Sequence, residues 1–75
     1  MTPDQIDTVL RALDEGGFDV DFDATRDQVV VWTRGPGAVE WRFPATLSVA
    51  ARVTTPEGYA VHVAREVLIG TRPNL

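Results

Sequence analysis

Residues 18–23, FDVDFD, alternate strictly between apolar side chains at even positions and aspartates at odd positions. A repeat of two residues places successive side chains on opposite faces of a β-strand. The segment therefore predicts a half-buried strand, with its apolar side chains toward a core and its aspartates toward solvent. A row of acids on an edge strand also discourages other chains from pairing with it. The three aspartates are Asp19, Asp21 and Asp23.

The same aspartates also suggest a calcium-binding loop, because their spacing matches ligand positions one, three and five of an EF-hand. That loop requires glycine at its sixth position and a carboxylate at its twelfth. Here those positions hold Ala24 and Val30. We therefore interpret the aspartates as the solvated face of a strand.

Residues 2–5, TPDQ, have the composition of a helix start. Thr2 is suited to the N-cap, proline follows at the first helical position, and Gln5 completes a capping box. Apolar residues then recur three, four and seven positions apart until Gly16-Gly17. This spacing predicts an amphipathic helix before the first strand.

Two further strands are predicted at residues 28–33, QVVVWT, and 38–43, AVEWRF, which are rich in β-branched and aromatic side chains. Residues 34–37, RGPG, lie between them and are typical of a turn. We therefore expect a hairpin in which Thr33 pairs with Ala38.

That register decides which side of the second strand meets the helices. It places the large side chains on one face: Val30, Trp32, Val39, Trp41 and Phe43. A three-residue loop at 24–26 keeps the aromatic residues of the first strand on that face, whereas a two-residue loop makes the sheet apolar on both sides. We predict the three-residue loop, because it buries only one side of the sheet. Val29 and Val31 then point to solvent beside Ala38, on the same side as Arg42. An exposed β-branched patch is typical of a partner-binding surface.

In the rest of the chain, the secondary structure of two segments, residues 46–54 and residues 58–64, has two possible interpretations. Residues 46–54 alternate as a fourth strand would, although a short helix fits them too, and we predict the strand. Residues 55–57, TPE, repeat the N-cap, proline and acid order, and apolar residues at helical spacing continue toward Gly70. We predict a helix here, against a competing turn and strand over 58–64. Residues 71–75 are expected to be a frayed tail.

These elements predict a single α+β domain over residues 1–75: helix, three- or four-stranded antiparallel sheet, helix (α-β-β-β-(β)-α), with both helices on one sheet face. The chain has 75 residues and no cysteine, so packing alone stabilises one small core, and a second copy would add to it. The N-terminus shows no basic segment followed by an apolar core, and no apolar run approaches about 18 residues. We expect a cytoplasmic protein without membrane contact.

Acidic residues are concentrated in the first part of the chain, where residues 1–27 contain eight of the eleven Asp and Glu. An acidic surface repels phosphate, so direct nucleic-acid binding is not expected. The element order resembles that of double-stranded-RNA-binding domains in topology alone. Such domains contact phosphate through basic groups, whereas this second helix begins with Glu57 and the chain has no lysine.

The sequence offers little for catalysis. Ser48 is the only serine and His62 the only histidine. Nothing around Ser48 resembles a nucleophile elbow, and one histidine with scattered acids makes a poor metal site. The glycine pairs lack the spacing of phosphate-binding loops. We therefore predict no catalytic, cofactor-binding or metal-binding residues, and a protein that is not an enzyme.

We expect a small acidic protein-interaction module, a regulator or inhibitor of bacterial or phage origin. Its partner is another protein or a second copy of this chain. The candidate partner-binding residues are Val29, Val31, Ala38, Arg42, Asp19, Asp21 and Asp23. One alternative is a nucleic-acid-linked regulator that binds through Arg34, Arg42 and Arg52. Another is a small-ligand accessory domain in which Trp32 and Trp41 line a pocket.

Overall fold

The computed structural model describes residues 1–48 and 51–71, and they form a helix, three antiparallel strands and a second helix. The helices are α1 (Pro3–Glu15) and α2 (Pro56–Gly70). The strands are β1 (Phe18–Asp23), β2 (Gln28–Thr33) and β3 (Glu40–Pro44), in the sheet order β1-β2-β3. Both helices pack on one face of the sheet. The predicted α+β fold is confirmed, in its three-stranded form.

Both helices begin where the sequence predicts. At α1, the hydroxyl of Thr2 accepts from the Gln5 N–H at 3.2 Å, and the Gln5 side chain accepts from the Thr2 N–H at 2.9 Å. At α2, the hydroxyl of Thr55 accepts from the Gly58 N–H at 3.0 Å. Each cap satisfies backbone donors that the helix itself cannot. The helical interpretation of residues 58–64 is confirmed, and the strand interpretation is wrong.

The core lies between the helices and one side of the sheet, called here the inner face. Directly opposed residues of antiparallel strands share a face. Val29 lies opposite Phe22 on β1 and Phe43 on β3, and Val31 lies opposite Trp41. The buried cluster joins this face to both helices through Ile6, Val9, Leu13, Phe18, Val29, Val31, Tyr59, Val63 and Val67.

Both hairpin registers differ from the prediction by one residue, and this turns β2 over. The β1–β2 loop is residues 24–27, and Val31 rather than Val30 pairs with Trp41. A slip of one residue moves every side chain of a strand to the other face. Val29 and Val31 are therefore fully buried, at 0% exposed. The prediction that they form a solvent-facing patch with Ala38 is wrong.

The predicted faces of β1, and of Trp41 and Phe43 on β3, are confirmed. Three of the predicted core side chains are not on the inner face, because Val30 and Trp32 turn over with β2 and Val39 lies outside the sheet. Phe18 is buried on the inner face, and Asp19 is exposed on the other. Trp32 lies away from the helices, because it is the partner of Asp19. Val39 was expected in the core but precedes β3 and is 50% exposed.

Residues 45–55 connect β3 to α2. Ser48 and Val53 exchange two backbone hydrogen bonds of 2.8 Å, and this single bridge is the only strand-like pairing in the described part of the predicted fourth strand. Residues 49–50 of that prediction lie outside the described residues. Of the expected frayed tail, only Thr71 is described, and its N–H donates to the Val67 carbonyl at the end of α2.

Candidate functional site

The side of the sheet away from the helices, called here the outer face, is a mixed apolar and charged surface. Strand alternation and the observed register place nine residues on it, one of which is Pro44 at the end of β3. The other eight are Asp19, Asp21, Asp23, Gln28, Val30, Trp32, Glu40 and Arg42. Both helices contribute their buried side chains to the opposite side, so neither covers this surface.

The outer face brings together four of the seven predicted partner-binding residues: Asp19, Asp21, Asp23 and Arg42. The other three are elsewhere. Val29 and Val31 are buried on the inner face, and Ala38 is exposed in the connection that precedes β3. The acidic part of the predicted site is therefore assembled in the fold, and the apolar part is not.

Arg42 crosses the outer face from β3 to β1. Its Nε donates to Glu40 Oε2 at 2.9 Å, and its Nη1 donates to Asp23 Oδ2 at 2.9 Å and to Gln28 Oε1 at 3.3 Å. The bonds to Glu40 and then to Asp23 raise the pKa of Arg42. Val30 is the strand partner of Arg42, and the arginine stem must pass over β2 to reach β1. This explains why Val30 is only 3% exposed on a face open to solvent.

Asp23 is occupied by contacts within its own chain. Its Oδ1 accepts from the backbone N–H groups of Thr25 and Arg26, each at 3.1 Å. Its Oδ2 accepts from Arg42 and lies 3.8 Å from Arg26 Nη1. The Arg42 bond, followed by the Arg26 N–H, lowers the pKa of Asp23, because both favour the charged form. Asp23 therefore closes the turn and anchors Arg42.

Arg34 joins the outer face to α1. Its Nε donates to Asp19 Oδ1 at 3.0 Å, and its Nη2 donates to Asp14 Oδ1 at 2.8 Å and to the Phe18 carbonyl at 3.0 Å. The hydrogen bond to Asp19 is the main cause that raises the pKa of Arg34. Two of the three arginines of the nucleic-acid alternative, Arg34 and Arg42, are thus held by carboxylates of their own chain.

Trp32 lies at the centre of the acidic part of the outer face. Its half-buried side chain is flanked by its strand partners, Asp19 on β1 and Glu40 on β3. Asp21 is exposed, and its Oδ1 accepts from the Phe22 N–H at 2.8 Å. Within residues 1–48 and 51–71, Asp21 takes part in no ion pair. Carboxylates beside an indole ring form a surface that attracts a cation.

Trp32 was not among the partner-binding residues predicted from the sequence, because the assumed register placed it in the core. The signal that identifies the correct register is DATRD, residues 23–27. Asp23 accepts from two N–H groups of the turn, and Asp27 has a positive φ of 52°, a conformation that Asp tolerates better than most residues. These two aspartates favour a four-residue loop. That loop places Trp32 on the outer face, whereas Trp41 lies on the inner face. The two tryptophans therefore do not line one pocket.

A groove of about 250 Å³ between the end of β3 and the start of α2 contains both Ser48 and His62. No carboxylate is among the described residues that line it. The hydroxyl of Ser48 accepts from the Ala51 N–H at 3.3 Å and so supports the loop. These residues do not assemble a Ser-His-carboxylate arrangement.

In the described part of the chain, no group of three or more His, Cys, Asp or Glu side chains is arranged to hold a metal ion. Asp19, Asp21 and Asp23 are spaced along a strand, about 7 Å apart from one to the next, rather than around a common centre. Among the same described residues, no helix is both long enough and apolar enough to cross a membrane.

Comparisons with protein-family models, with curated proteins and with solved structures find no match to this chain. The functional conclusion therefore rests on the chemistry and geometry of the outer face.

Proposed function

We propose that this protein is a non-enzymatic interaction module whose outer face binds a cationic segment of another protein. The observation that supports this most directly is the position of Trp32 between Asp19 and Glu40, on the side of the sheet that the helices leave open. Tryptophan is enriched among the residues that dominate protein interfaces.

The charge of the outer face favours a cationic partner. Its acidic side chains are Asp19, Asp21, Asp23 and Glu40, and its basic groups are Arg42 and, at its edge, Arg34. Both guanidinium groups are already paired with carboxylates of the chain, so the surplus charge is negative. A negative surface steers cationic partners toward it and repels phosphate. The same reasoning disfavours direct nucleic-acid binding.

The Trp32 indole and the carboxylates are expected to contribute different amounts to the free energy of binding. A lysine or arginine over an exposed aromatic ring gains about 0.5–1 kcal/mol, and about 2 kcal/mol when water is removed. An exposed ion pair contributes about 0–1 kcal/mol. We therefore expect Trp32 to anchor the partner, and Asp21 to supply the carboxylate that pairs with it.

The narrower role that we propose is that of a regulator or inhibitor of bacterial or phage origin, acting in the cytoplasm. This role is supported by the small size and acidic composition of the chain, and the location stays a prediction. The charge of the outer face supports the proposed partner class, a protein with a basic segment.

The proposal is tested with an Arg- and Lys-rich peptide titrated into the full chain at low and at moderate salt. Binding is followed by calorimetry, and three variants are compared: Trp32→Ala, Asp21→Arg and Asp7→Arg. Asp7 is exposed on α1, so Asp7→Arg makes the same change in net charge away from the outer face. We expect Trp32→Ala and Asp21→Arg each to weaken binding by about fivefold or more, since 1 kcal/mol corresponds to roughly that factor.

The matched variant decides whether attraction is specific to the outer face. If Asp7→Arg weakens binding as much as Asp21→Arg, the peptide senses only net charge, and the proposal is wrong. Failure of the wild-type chain to bind the peptide at low salt also rejects it. Where binding is site-specific, affinity capture with wild type and Trp32→Ala side by side identifies natural partners as basic proteins lost from the variant.

A further inference from the structure

One side of α2 carries apolar side chains that the fold leaves in water. Val61 and Leu68 are each 55% exposed. They are seven residues apart, which is two helical turns, so they lie on one side of the helix. Ala64, between them, is half-buried. This side, called here the α2 stripe, consists of Glu57, Gly58, Val61, Ala64, Arg65 and Leu68.

The charges of the α2 stripe are symmetric about Val61. Glu57 lies four residues before it and Arg65 four residues after it. The two are separated by about 12 Å along the helix, too far to pair with each other in one chain. Neither belongs to an ion pair among residues 1–48 and 51–71. Glu57 and Arg65 therefore carry opposite charges but cannot form an ion pair with each other within one chain.

We propose that the chain forms a homodimer through an antiparallel contact between the α2 stripes of two copies. A two-fold axis at Val61 brings Glu57 of each copy beside the partner's Arg65, so two identical ion pairs form. The same axis brings Gly58 of each copy opposite the partner's Ala64, and these small residues allow the helices to approach closely. Self-complementarity of this kind is what a two-fold interface requires.

An apolar groove adds surface to this contact. It has a volume of about 260 Å³ and lies between α1 and α2, lined in part by Ala12, Gly16, Val61 and Ala64. The partner's helix, packed along the α2 stripe, covers the side of the groove that Val61 and Ala64 form. Burial of exposed apolar surface is the main favourable contribution to such association.

The sheet offers a second copy no comparable site. The outer face carries four carboxylates, and Arg42, with Arg34 at its edge, is already paired, so two such faces repel each other. Dimerisation through α2 leaves both outer faces open. This inference does not depend on the partner-binding role of the outer face.

Sedimentation velocity and light scattering on the full chain, from low micromolar to millimolar concentration, test the dimer. We expect wild type to pass from monomer to dimer. We expect Val61→Arg to remain monomeric, since it places two like charges at the axis. Arg65→Glu should weaken the dimer by about tenfold or more, because two attractive pairs become repulsive.

The decisive measurement is the double variant Glu57→Arg with Arg65→Glu, which restores opposite charges across the axis and should restore the dimer. Arg11→Glu makes the same change in net charge as Arg65→Glu at an exposed position of α1, outside the α2 stripe, and it should leave association unchanged. Circular dichroism establishes that each variant is folded. A wild type that stays monomeric, a dimer insensitive to Val61→Arg, or a double variant no tighter than Arg65→Glu each overturns the proposal.

Discussion

The indole ring of Trp41 lies directly against the backbone of Gly70, the last residue of α2. A Cβ at position 70 would overlap Cη2 of the ring and lie 2.7 Å from Cζ2. The ring nitrogen, Nε1, is buried and has no hydrogen-bond partner in the described part of the chain. Glycine at this position therefore allows the C-terminal end of α2 to close over β3.

We expect Gly70→Ala to destabilise the protein. In an ordinary helix this change adds about 0.5–1 kcal/mol of stability, but overpacking against a ring costs about 1–3 kcal/mol. Urea unfolding of wild type and variant measures the difference. In the background of Trp41→Phe, which lacks Cη2, the cost of Gly70→Ala should fall. An unchanged or increased free energy of unfolding in Gly70→Ala would show that the contact is not tight.

Tyr59 on α2 is predicted to make stability depend on alkaline pH. Its hydroxyl donates to the Pro44 carbonyl at 2.7 Å, and burial, with the nearby charge of Asp27, raises the pKa of Tyr59 to about 12. This folded-state pKa exceeds the ordinary value of 10.0. The contribution of Tyr59 to the free energy of unfolding is therefore fully present at pH values below 10.0. It is lost as the pH rises through the folded-state pKa.

Phenolate absorbance reports this ionisation directly, since Tyr59 is the only tyrosine. Tyr59→Phe should cost about 1 kcal/mol near neutral pH, through loss of the hydrogen bond. It should also flatten the decline in stability between pH 10 and 12, measured by urea unfolding. A phenolate titration at the ordinary value would mean that the hydroxyl is open to solvent.

How far the sequence determines this fold is best seen by comparing β1 with β2. In β1, Asp and apolar residues alternate, so only one orientation buries Phe18 and exposes Asp19. In β2, QVVVWT is apolar at positions of both parities. The pattern of β2 therefore does not specify which of its sides faces the helices, and the lengths of the adjoining loops decide this orientation. The assumed loops were each one residue too short, which inverted β2 while β1 and β3 remained correct.

The candidate site was predictable to the same extent. The acids of β1 and Arg42 of β3 belong to strands with clear alternation, and they were placed on one face. Trp32 belongs to β2, and its large apolar ring favoured a place in the core. The sequence signals that would have corrected it are the ability of Asp23 to accept from turn N–H groups and the tolerance of Asp at position 27 for a left-handed conformation. Caps were easier to predict, because Thr2 and Thr55 act through short-range contacts.

The orientation of β2 can be measured with two isosteric substitutions. Val31→Thr places a hydroxyl in the core without a partner and should cost about 1–3 kcal/mol of unfolding free energy. Val39→Thr makes the same chemical change at a half-exposed position and should be within about 0.5 kcal/mol of wild type. The inverted register, with Val39 inside and Val31 outside, requires the opposite order of the two effects.

Arg42→Met is predicted to raise the pKa of Asp23 toward its ordinary value. The Arg42 hydrogen bond is the main cause of the lowered value in the folded state. Because the folded-state pKa lies below that of the unfolded chain, Asp23 stabilises the fold above the unfolded value. That contribution is lost as the pH falls through the folded-state pKa. Carboxyl NMR titration of wild type and variant measures the shift. Arg11→Met, on α1, should leave the titration of Asp23 unchanged, and an equal effect of the two variants would contradict the assignment.

The same Arg42→Met substitution links the geometry of the outer face to binding. The guanidinium of Arg42 pairs with both Asp23 and Glu40 on the outer face. Methionine keeps an apolar stem over Val30 but removes the charge, so the face becomes more negative beside Trp32. We expect the Arg- and Lys-rich peptide to bind severalfold more tightly, with a steeper dependence on salt. Arg11→Met makes the same change in net charge away from this face, and comparable tightening in both variants would place the binding elsewhere.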